Sequence, residues 1–438
     1  MEYLPLIFFG VVLLMLLAGF PVAFTLGGVS LIFGLATFGL NFFNLLPMRI
    51  WGIMNNYILL AVPLFIYMGV MFEKSGLAEE LLETMALLFG KLRGGMAISV
   101  LIVGALLAAA TGIVGATVVT MGVLTLPTML KKGYSPEVAT GIISASGTLG
   151  QIIPPSIVLV LLGSVLNISV GELFIGAVIP GFLLVMLYLT WLILIAIVKP
   201  KLAPAMPKED LLKFKNSNKT KKVITAFIAP FFLIAAVLGS IFAGVASPTE
   251  AAAVGALGAA ILTIIRGKFT KVILNDVMIS TMKLTSMTFM ILIGASAFGL
   301  VFRGMGGDVV LTNLILNNNI EPHHFLLIVM MLIFVAGFFI DFIEIVFIIV
   351  PVVAPIFVHL NIDLLWIGIL IAVNLQTSFL TPPFGFALFF LKGVAPKEVT
   401  TKHIYKGVIP YVVIQLIGLT LLIMYPEIVL WLPKYFGR

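Results

Sequence analysis

Two pairs of adjacent prolines, Pro154-Pro155 and Pro382-Pro383, lie inside long apolar stretches of this 438-residue sequence. A proline pair removes two backbone N–H donors and disfavours helical geometry at the residue before it, so the preceding carbonyl groups lose their helical partners. Free carbonyl oxygens at the end of a half-helix suit a sodium ion, and the free N–H groups of the next half-helix suit an anion. Each break is therefore a candidate binding site. The alternative is a proline kink whose carbonyl groups are satisfied by neighbouring helices.

Small and hydroxyl-bearing residues surround both breaks and two predicted hairpin tips. Glycine lets the backbone approach a ligand closely, and hydroxyl and amide groups can hydrogen-bond a carboxylate. The substrate-binding candidates are Gly112, Gly115, Ser146, Thr148, Ser156, Asp341, Asn374 and Thr377. No lysine or arginine is predicted at mid-membrane, so we expect helix N-termini, hydroxyl groups and bound sodium to hold an anion there.

Asp341 and Glu344 are the only acidic residues predicted deep in the bilayer. Burying a carboxylate there costs roughly 2.5 kcal/mol or more, which makes a functional role the default interpretation. The two residues could coordinate sodium, carry a proton or cap the returning helix of a hairpin. For Glu344 a capping role is as well supported as a functional one.

The breaks recur because the chain contains an internal duplication. An offset of 228 positions relates three residue pairs: Pro127 and Pro355, Ser146 and Asn374, and Pro154 and Pro382. An offset of 227 relates two more, Pro21 with Pro248 and Gly28 with Gly255. Membrane helices broken at corresponding places in two halves are typical of secondary transporters.

Composition places the chain in a membrane. Hydrophobic residues make up 61% of the sequence and charged residues 10%, with a mean hydropathy of +1.24. The absence of cysteine excludes disulfides, thiolate metal ligands and a cysteine nucleophile. We predict a polytopic membrane protein that is not an enzyme and does not bind nucleic acid.

The two halves are predicted to share one order of elements. In the first half, residues 1–198, spans lie near 4–18, 21–40, 56–72 and 172–198, a hairpin near 96–130 and a broken helix near 138–165. In the second half, residues 223–438, spans lie near 223–241, 249–265, 279–302 and 408–432, a hairpin near 324–359 and a broken helix near 364–391. A basic linker at 199–222 joins the halves. Two amphipathic connectors, Ser75–Gly90 and Asp308–Asn317, are predicted to lie at the membrane–water interface.

The expected fold class is therefore an all-α polytopic membrane protein with two inverted-topology repeats. A re-entrant hairpin adds no net crossing, so each half crosses about five times, and an odd count inverts the second half. This gives about ten spanning helices with two re-entrant hairpins and two broken helices.

Basic residues predict the orientation. With a cytoplasmic linker, 21 of the 25 lysines and arginines fall on the cytoplasmic side. Four remain outside, namely Arg49, Arg303, Lys434 and Arg438. Both termini are then predicted to lie outside the inner membrane.

Several motifs carry a resemblance to a known family. They are Gly133-Tyr134-Ser135, the run from Gly147 to Ser156, Ile179-Pro180-Gly181, Ala246-Ser247-Pro248-Thr249-Glu250-Ala251 and Thr381-Pro382-Pro383-Phe384-Gly385. Over nearly its whole length the chain resembles the large (DctM-type) membrane subunit of tripartite ATP-independent periplasmic (TRAP) transporters. Within that family it is most similar to the mannitol/chloroaromatic branch, whose better-supported cargoes are 2-oxo acids and related carboxylates.

The resemblance implies an elevator-type mechanism in a bacterial or archaeal inner membrane. It also implies three partners: a small four-helix membrane subunit, a periplasmic substrate-binding protein and an organic anion. The first sodium site would be formed by Thr111, Ile113, Gly150, Ile153 and Pro155. The second would be formed by Gly337, Ser378, Thr381 and Phe384.

The chain departs from the family pattern at two places. It has Thr111-Gly112-Ile113-Val114 where the family often has Ser-Gly-Ser-Ser, and Ser378 where a glycine is common. The expected function is sodium-coupled import of a small carboxylate. The alternative is a self-sufficient sodium- or proton-coupled symporter of di- or tricarboxylates, and a redox-enzyme membrane subunit is disfavoured because nucleotide motifs and haem-ligand pairs are absent from the sequence.

Overall fold

The computed structural model describes residues 3–207, 219–317 and 320–436, and within these ranges all regular structure is helical. The first half contains α1 Leu4–Leu17, α2 Val22–Phe38, α3 Leu46–Met54, α4 Ala61–Lys74, α5 Leu77–Phe89, α6 Gly95–Thr111, α7 Val114–Lys131, α8 Pro136–Thr148, α9 Ile157–Leu166 and α10 Val170–Val198. The second half contains α11 Lys219–Phe242, α12 Pro248–Ile265, α13 Lys271–Gly304, α14 Gly307–Asn317, α15 Pro322–Ala336, α16 Phe342–Ile348, α17 Val350–His359, α18 Leu364–Leu380, α19 Phe386–Val394, α20 Thr401–Met424 and α21 Glu427–Tyr435. Short 3-10 segments lie at Leu40–Leu45, Tyr57–Leu60 and Leu149–Gln151.

Capping residues explain where several helices begin. Ser247 accepts a hydrogen bond from the Glu250 N–H at 3.3 Å, and the Glu250 carboxylate accepts one from the Ser247 N–H at 2.7 Å. This reciprocal capping box satisfies two of the amide donors that a helix start leaves open. Ser135 caps α8 in the simpler way, by accepting from the Val138 N–H at 3.2 Å.

Helix interruptions lie inside each of the four segments that the sequence marked as hairpins or broken helices. The chain leaves helical geometry between α6 and α7, between α8 and α9, between α15 and α16, and between α18 and α19. The helix pair α16 and α17 is also bent by 49°. Of the linker at 199–222, residues 208–218 lie outside the described residues.

Several predicted boundaries were wrong by a turn or more. The span predicted near 279–302 begins at Lys271, because the Thr270 hydroxyl caps α13 by accepting from the Ile273 N–H at 3.2 Å. The span predicted near 408–432 consists of two helices, α20 and α21, because Pro426 disfavours helical geometry at Tyr425. The helix α3 was missed.

Six described helices are long and apolar enough to cross a membrane, or seven if the bent pair α16 and α17 counts as one span. Seven shorter apolar helices of 10–17 residues accompany them. The count of about ten crossings and the inversion of the halves stay predictions.

Glycine contacts bring the helices of the two halves close together. Helix α4 of the first half packs against α12 and α13 of the second half. Helix α2 also packs against α13, where a Cβ added at Gly294 would lie 2.6 Å from the Ala23 carbonyl oxygen. Helix α8 of the first half packs against α20 of the second half, and a Cβ added at Gly141 of α8 would overlap the Gly407 carbonyl of α20. Small residues at these crossings permit backbone contact, which is how membrane helices associate.

The connector α5 packs against protein along its apolar face. Leu77, Leu81, Leu82 and Met85 are all buried, and Glu80 on the opposite face forms an ion pair with Arg266. The chain itself covers these apolar side chains, so they are not free to contact lipid, and the position of α5 relative to the membrane stays a prediction.

Candidate cation and solute site

The tip of the first hairpin is a two-residue turn between α6 and α7. Gly112 adopts left-handed geometry with φ 61° and ψ 5°, which favours glycine, and Ile113 is extended. The hydroxyl groups of Thr111 and Thr117 lie 2.7 Å apart, and Thr117 also donates to the Ile113 carbonyl at 3.0 Å. The turn therefore gathers two hydroxyl oxygens and the Ile113 carbonyl within one hydrogen-bonded cluster.

The first break follows α8 and ends the helix in a tight turn. The N–H groups of Ile152 and Ile153 both donate to the Leu149 carbonyl, at 3.1 and 2.9 Å. The Pro154-Pro155 peptide bond is cis, as is the Pro382-Pro383 bond. The Ser156 hydroxyl donates to the Gln151 carbonyl at 2.8 Å and does not cap α9.

The hairpin tip and the break meet. A Cβ added at Gly150 would lie 2.9 Å from the Ala108 carbonyl oxygen of α6. A Cβ added at Gly112 would lie 3.4 Å from the backbone nitrogen of Ile157, the first residue of α9. The starts of α7 and α9, neither of which carries a side-chain cap, therefore lie beside each other.

The second hairpin meets the second break in the same way. Gly337 ends α15, and a Cβ added there would overlap the Ser378 side chain. The rings of Phe339 and Phe384 lie 5.2 Å apart, so the tip also contacts the chain beyond the prolines. The four residues proposed for the second sodium site thus fall around one contact between hairpin and break, and Thr381 lies between Ser378 and Phe384 in the chain.

Hydroxyl groups at the second break are bonded to nearby carbonyls. Thr381 donates to the Thr377 carbonyl at 2.7 Å, and Thr377 donates to the Val373 carbonyl at 2.8 Å. The Tyr405 hydroxyl donates to the Pro383 carbonyl at 2.5 Å and anchors the break to α20. Each threonine oxygen keeps a lone pair for a cation.

Asp341 and Glu344 form a capping box at the start of α16. The Asp341 carboxylate accepts from the Phe342 N–H at 2.7 Å, and the Glu344 carboxylate accepts from the Asp341 N–H at 3.1 Å. Capping was one of the roles that the sequence left open, and the structure confirms the capping geometry for both residues. No basic side chain within the described ranges forms an ion pair with either carboxylate.

The remaining solute candidates are held by local bonds. Ser146 and Thr148 donate to carbonyls three residues earlier in α8, and Asn374 donates to the Met330 carbonyl of α15 at 2.6 Å. A Cβ added at Gly115 would lie 3.0 Å from the Phe390 ring, so the start of α7 packs against α19 of the other half. The structure brings Gly112 next to Ser156 through Ile157, and the helix α16 that Asp341 caps packs against α9, which follows the first break.

Gln151 was missed as a site residue. Its side chain is fully buried one residue from Gly150, and neither amide atom has a protein hydrogen-bond partner. Buried amides are almost always satisfied, so this group fits a bound water or ion. A polar residue directly before Ile152-Ile153-Pro154 was the available signal in the sequence.

A second polar group lies deep among α10, α18 and α20. The Gln376 amide nitrogen lies 3.5 Å from the Tyr188 hydroxyl, and the rings of Tyr188 and Tyr411 pack edge to face at 5.1 Å. The fully buried Gln415 side chain lies beside the Tyr188 hydroxyl in the same group. The sequence analysis did not single out these buried residues.

The donor set suits a hard monovalent cation at the breaks. Carbonyl, hydroxyl and amide oxygens converge at helix ends, which is how sodium is bound in transporters with broken helices. The described ranges contain no group of three or more His, Cys, Asp or Glu side chains that could hold a metal ion. The uncapped starts of α7 and α9 suit an anion, whereas the carboxylates at the start of α16 disfavour one.

Comparison with known proteins identifies related transporter subunits. Residues 9–428 match the family model described as "Tripartite ATP-independent periplasmic transporter, DctM component". The C4-dicarboxylate TRAP transporter large permease protein DctM of Vibrio cholerae serotype O1 is 31% identical, over 96% of this chain and 95% of that protein. The sialic acid TRAP transporter large permease protein SiaM of the same organism is 28% identical, over 96% of each chain.

A solved structure shows a similar fold. The YdaH transporter of Alcanivorax borkumensis superimposes with a TM-score of 0.58 over 98% of each chain, at 14% sequence identity. At this identity the similarity concerns the fold alone.

Proposed function

The chain belongs to the DctM component family of tripartite ATP-independent periplasmic transporters, and from this we propose that it imports a small organic anion together with sodium. It would act as the translocating subunit in a bacterial or archaeal inner membrane. The observation that carries the proposal is the contact between hairpin and break, which occurs once in each half. At both contacts a glycine allows backbone to approach backbone or a short side chain, and oxygen atoms gather there.

Sodium would bind at these two contacts. The first site would use Thr111, Ile113, Gly150, Ile153 and Pro155, and the Gln151 side chain adds an amide oxygen nearby. The second would use Gly337, Ser378, Thr381 and Phe384. Main-chain carbonyls would supply most ligands, because the predicted set includes glycine, proline, isoleucine and phenylalanine.

The anion would bind beside the first sodium site. The uncapped starts of α7 and α9 offer N–H groups and the positive ends of two helix dipoles at one place. A neighbouring sodium ion would add positive charge there, so occupancy by sodium would raise the affinity for the anion. This reciprocal coupling is what a symporter requires.

The cargo and the partners follow from the family. TRAP transporters named for C4-dicarboxylates and for sialic acid are among the relatives of this chain, and both are carboxylates. A carboxylate, with a 2-oxo acid or a related hydroxy acid as the specific form, is the proposed cargo. A small membrane subunit and a periplasmic substrate-binding protein are the proposed partners, and α2, α11 and α13 present exposed apolar side chains to lipid or to such a subunit.

Sodium titration of the purified protein tests the ion sites. We expect a saturable stabilisation against thermal unfolding, because an ion that binds only the folded state stabilises it by about 2.7 kcal/mol at 100 times Kd. Thermal unfolding is measured over a range of sodium concentrations, with choline as balancing cation at constant ionic strength. If the unfolding temperature did not respond to sodium, or responded equally when potassium replaced choline, sodium binding would be contradicted. Proton coupling through Asp341 and Glu344 would then be the alternative.

Thr381→Ala tests one proposed ligand. The substitution removes the hydroxyl at the second break, and we expect a weaker sodium affinity, by about fivefold to tenfold, corresponding to roughly 1–1.4 kcal/mol. Sodium-dependent unfolding gives the affinity. Thr420→Ala is the matched control, because Thr420 forms the same type of bond to the Leu416 carbonyl at 2.8 Å but lies exposed on α20. An unchanged sodium titration in Thr381→Ala would remove this hydroxyl from the site.

A further inference from the structure

A cleft of about 400 Å³ opens between α3 and α13 on one side and α9 with the bent pair α16 and α17 on the other. Arg49 of α3 and Arg303 of α13 both line it. Asn56, Ser164 and Ser296 add amide and hydroxyl groups, and Asn56 donates to Ser164 at 3.2 Å. The cleft therefore combines two guanidinium groups with neutral hydrogen-bonding side chains.

The charged side chains that line this cleft are all of one sign. No Asp or Glu lines it, and neither arginine forms an ion pair there. Two other clefts also carry basic side chains, but acidic residues line both, Glu79 and Glu80 in one and Glu137 in the other. A cleft lined by one sign of charge concentrates the field and attracts ions of the opposite sign.

The chemistry of the two arginines selects the ligand. A guanidinium group is always charged and pairs with a carboxylate through two parallel hydrogen bonds. Arg49 and Arg303 are also two of only four basic residues predicted on the outer side of the membrane. The lining of the cleft also includes Phe347 and Pro351, which belong to the returning arm of the second hairpin. A carboxylate held here would therefore contact both the hairpin and α13.

We propose that this cleft is a carboxylate-binding vestibule in which Arg49 and Arg303 receive the anionic solute before it reaches the helix breaks. The proposal rests on the proposed function for the direction of import. The ligand class is a small mono- or dicarboxylate, for which the cavity volume is sufficient. The vestibule is separate from the sodium ligands and from the uncapped starts of α7 and α9.

The charge selectivity of the cleft can be measured without transport. Because the chain contains no cysteine, a Ser296→Cys variant carries a single thiol, in the wall of the cleft. Its reaction rates with an anionic and a cationic methanethiosulfonate reagent are compared in purified protein. We expect the ratio of anionic to cationic rate to exceed that of Val245→Cys by roughly fivefold or more, as two nearby positive charges would produce at physiological salt.

Val245 is the reference because its side chain is 82% exposed in the turn between α11 and α12, on the side of the membrane predicted for the cleft. Adding Arg49→Gln and Arg303→Gln should remove the excess ratio at Ser296→Cys and leave Val245→Cys unchanged. Arg303→Lys should retain most of the excess, because the positive charge remains.

Protection by a probe tests binding itself. We expect succinate to slow the reaction of Ser296→Cys, and the uncharged succinamide to have no effect at equal concentration. Equal rate ratios at the two positions, or equal protection by succinate and succinamide, would overturn the proposal. Ser164→Cys, on another helix that lines the cleft, provides the same measurement if Ser296→Cys does not fold. The reaction rates of the thiol do not depend on sodium. A negative result here would therefore not contradict the sodium sites, and a negative sodium titration would not contradict the vestibule.

Discussion

Gly337→Ala is expected to weaken sodium binding at least tenfold, about 1.4 kcal/mol, and to lower stability in sodium-free buffer by about 1–3 kcal/mol, because it overpacks a buried contact. Gly337 has φ −66° and ψ −5°, a right-handed helical conformation that alanine adopts without strain. The added methyl group would instead overlap the Ser378 side chain and lie 3.3 Å from the Ile333 carbonyl oxygen. The hairpin and the break must then separate, and the oxygen atoms proposed to bind sodium would separate with them.

A compensating substitution distinguishes this contact from general damage. Ser378→Gly removes both side-chain atoms that the new methyl group would meet but keeps the Ser378 main-chain carbonyl. The double variant Gly337→Ala/Ser378→Gly should therefore recover the sodium affinity that main-chain oxygens supply, and Ser378→Gly alone measures what the hydroxyl adds. Gly28→Ala is the matched control, because a Cβ at this helical glycine has no neighbour within 4 Å. Sodium-dependent thermal unfolding is the readout for all variants. An unchanged titration in Gly337→Ala would show that the contact does not form a sodium site.

Asp341→Asn is expected to remove most of the sodium response of the second site without lowering stability in sodium-free buffer, because Asp341 follows Gly337 by four residues at the same hairpin tip. Asparagine is as good a helix N-cap as aspartate, so the bond to the Phe342 N–H survives while the negative charge is lost. An uncharged cap would cost less in an apolar layer than two carboxylates three residues apart. A nearby cation is the simplest reason for the charge, and no basic side chain among the described residues supplies it.

Asp341→Ala separates the role of Asp341 as a helix cap from its role as a negative charge. Asp341→Ala should lose the sodium response and also about 1 kcal/mol of stability, because it removes the cap as well as the charge. Asp363→Asn is the control, since Asp363 caps α18 through the Leu365 N–H at 2.7 Å, at the opposite end of that helix from the second break. A full sodium response in Asp341→Asn would leave Asp341 a structural cap only.

The local signals in the sequence predicted the helix interruptions well. Proline pairs and glycine-rich tips act on their own backbone, so Gly112 and the two breaks could be located without knowledge of the partners they meet. The same holds for the capping box of Ser247 and Glu250, in which both partners lie within one turn. Such features depend on a few neighbouring residues, and a single sequence contains all of them.

Features that depend on distant contacts were not predictable in this way. The apolar face of α5 suits a lipid surface as well as a protein surface, and only the packing of α6 and α11 against it decides between them. The role of Gln151 depends on which groups surround it after folding, since a buried glutamine and an exposed one look alike in sequence. The vestibule joins Arg49 and Arg303, which lie far apart in the chain.

The extra helix α3 has a consequence for the energetics of transport. Leu46–Met54 is separated from α4 by the turn at Asn55 and Asn56, whereas the corresponding part of the second half is the single 34-residue helix α13. In a transporter of inverted repeats, perfect internal symmetry would give the two open conformations equal free energies. In the first half the turn at Asn55 and Asn56 interrupts the helix, whereas α13 in the second half is continuous over about 50 Å. If the halves are inverted as the sequence predicts, this asymmetry would make the free energies of the two conformations unequal, so one of them would be favoured before substrate and ions bind.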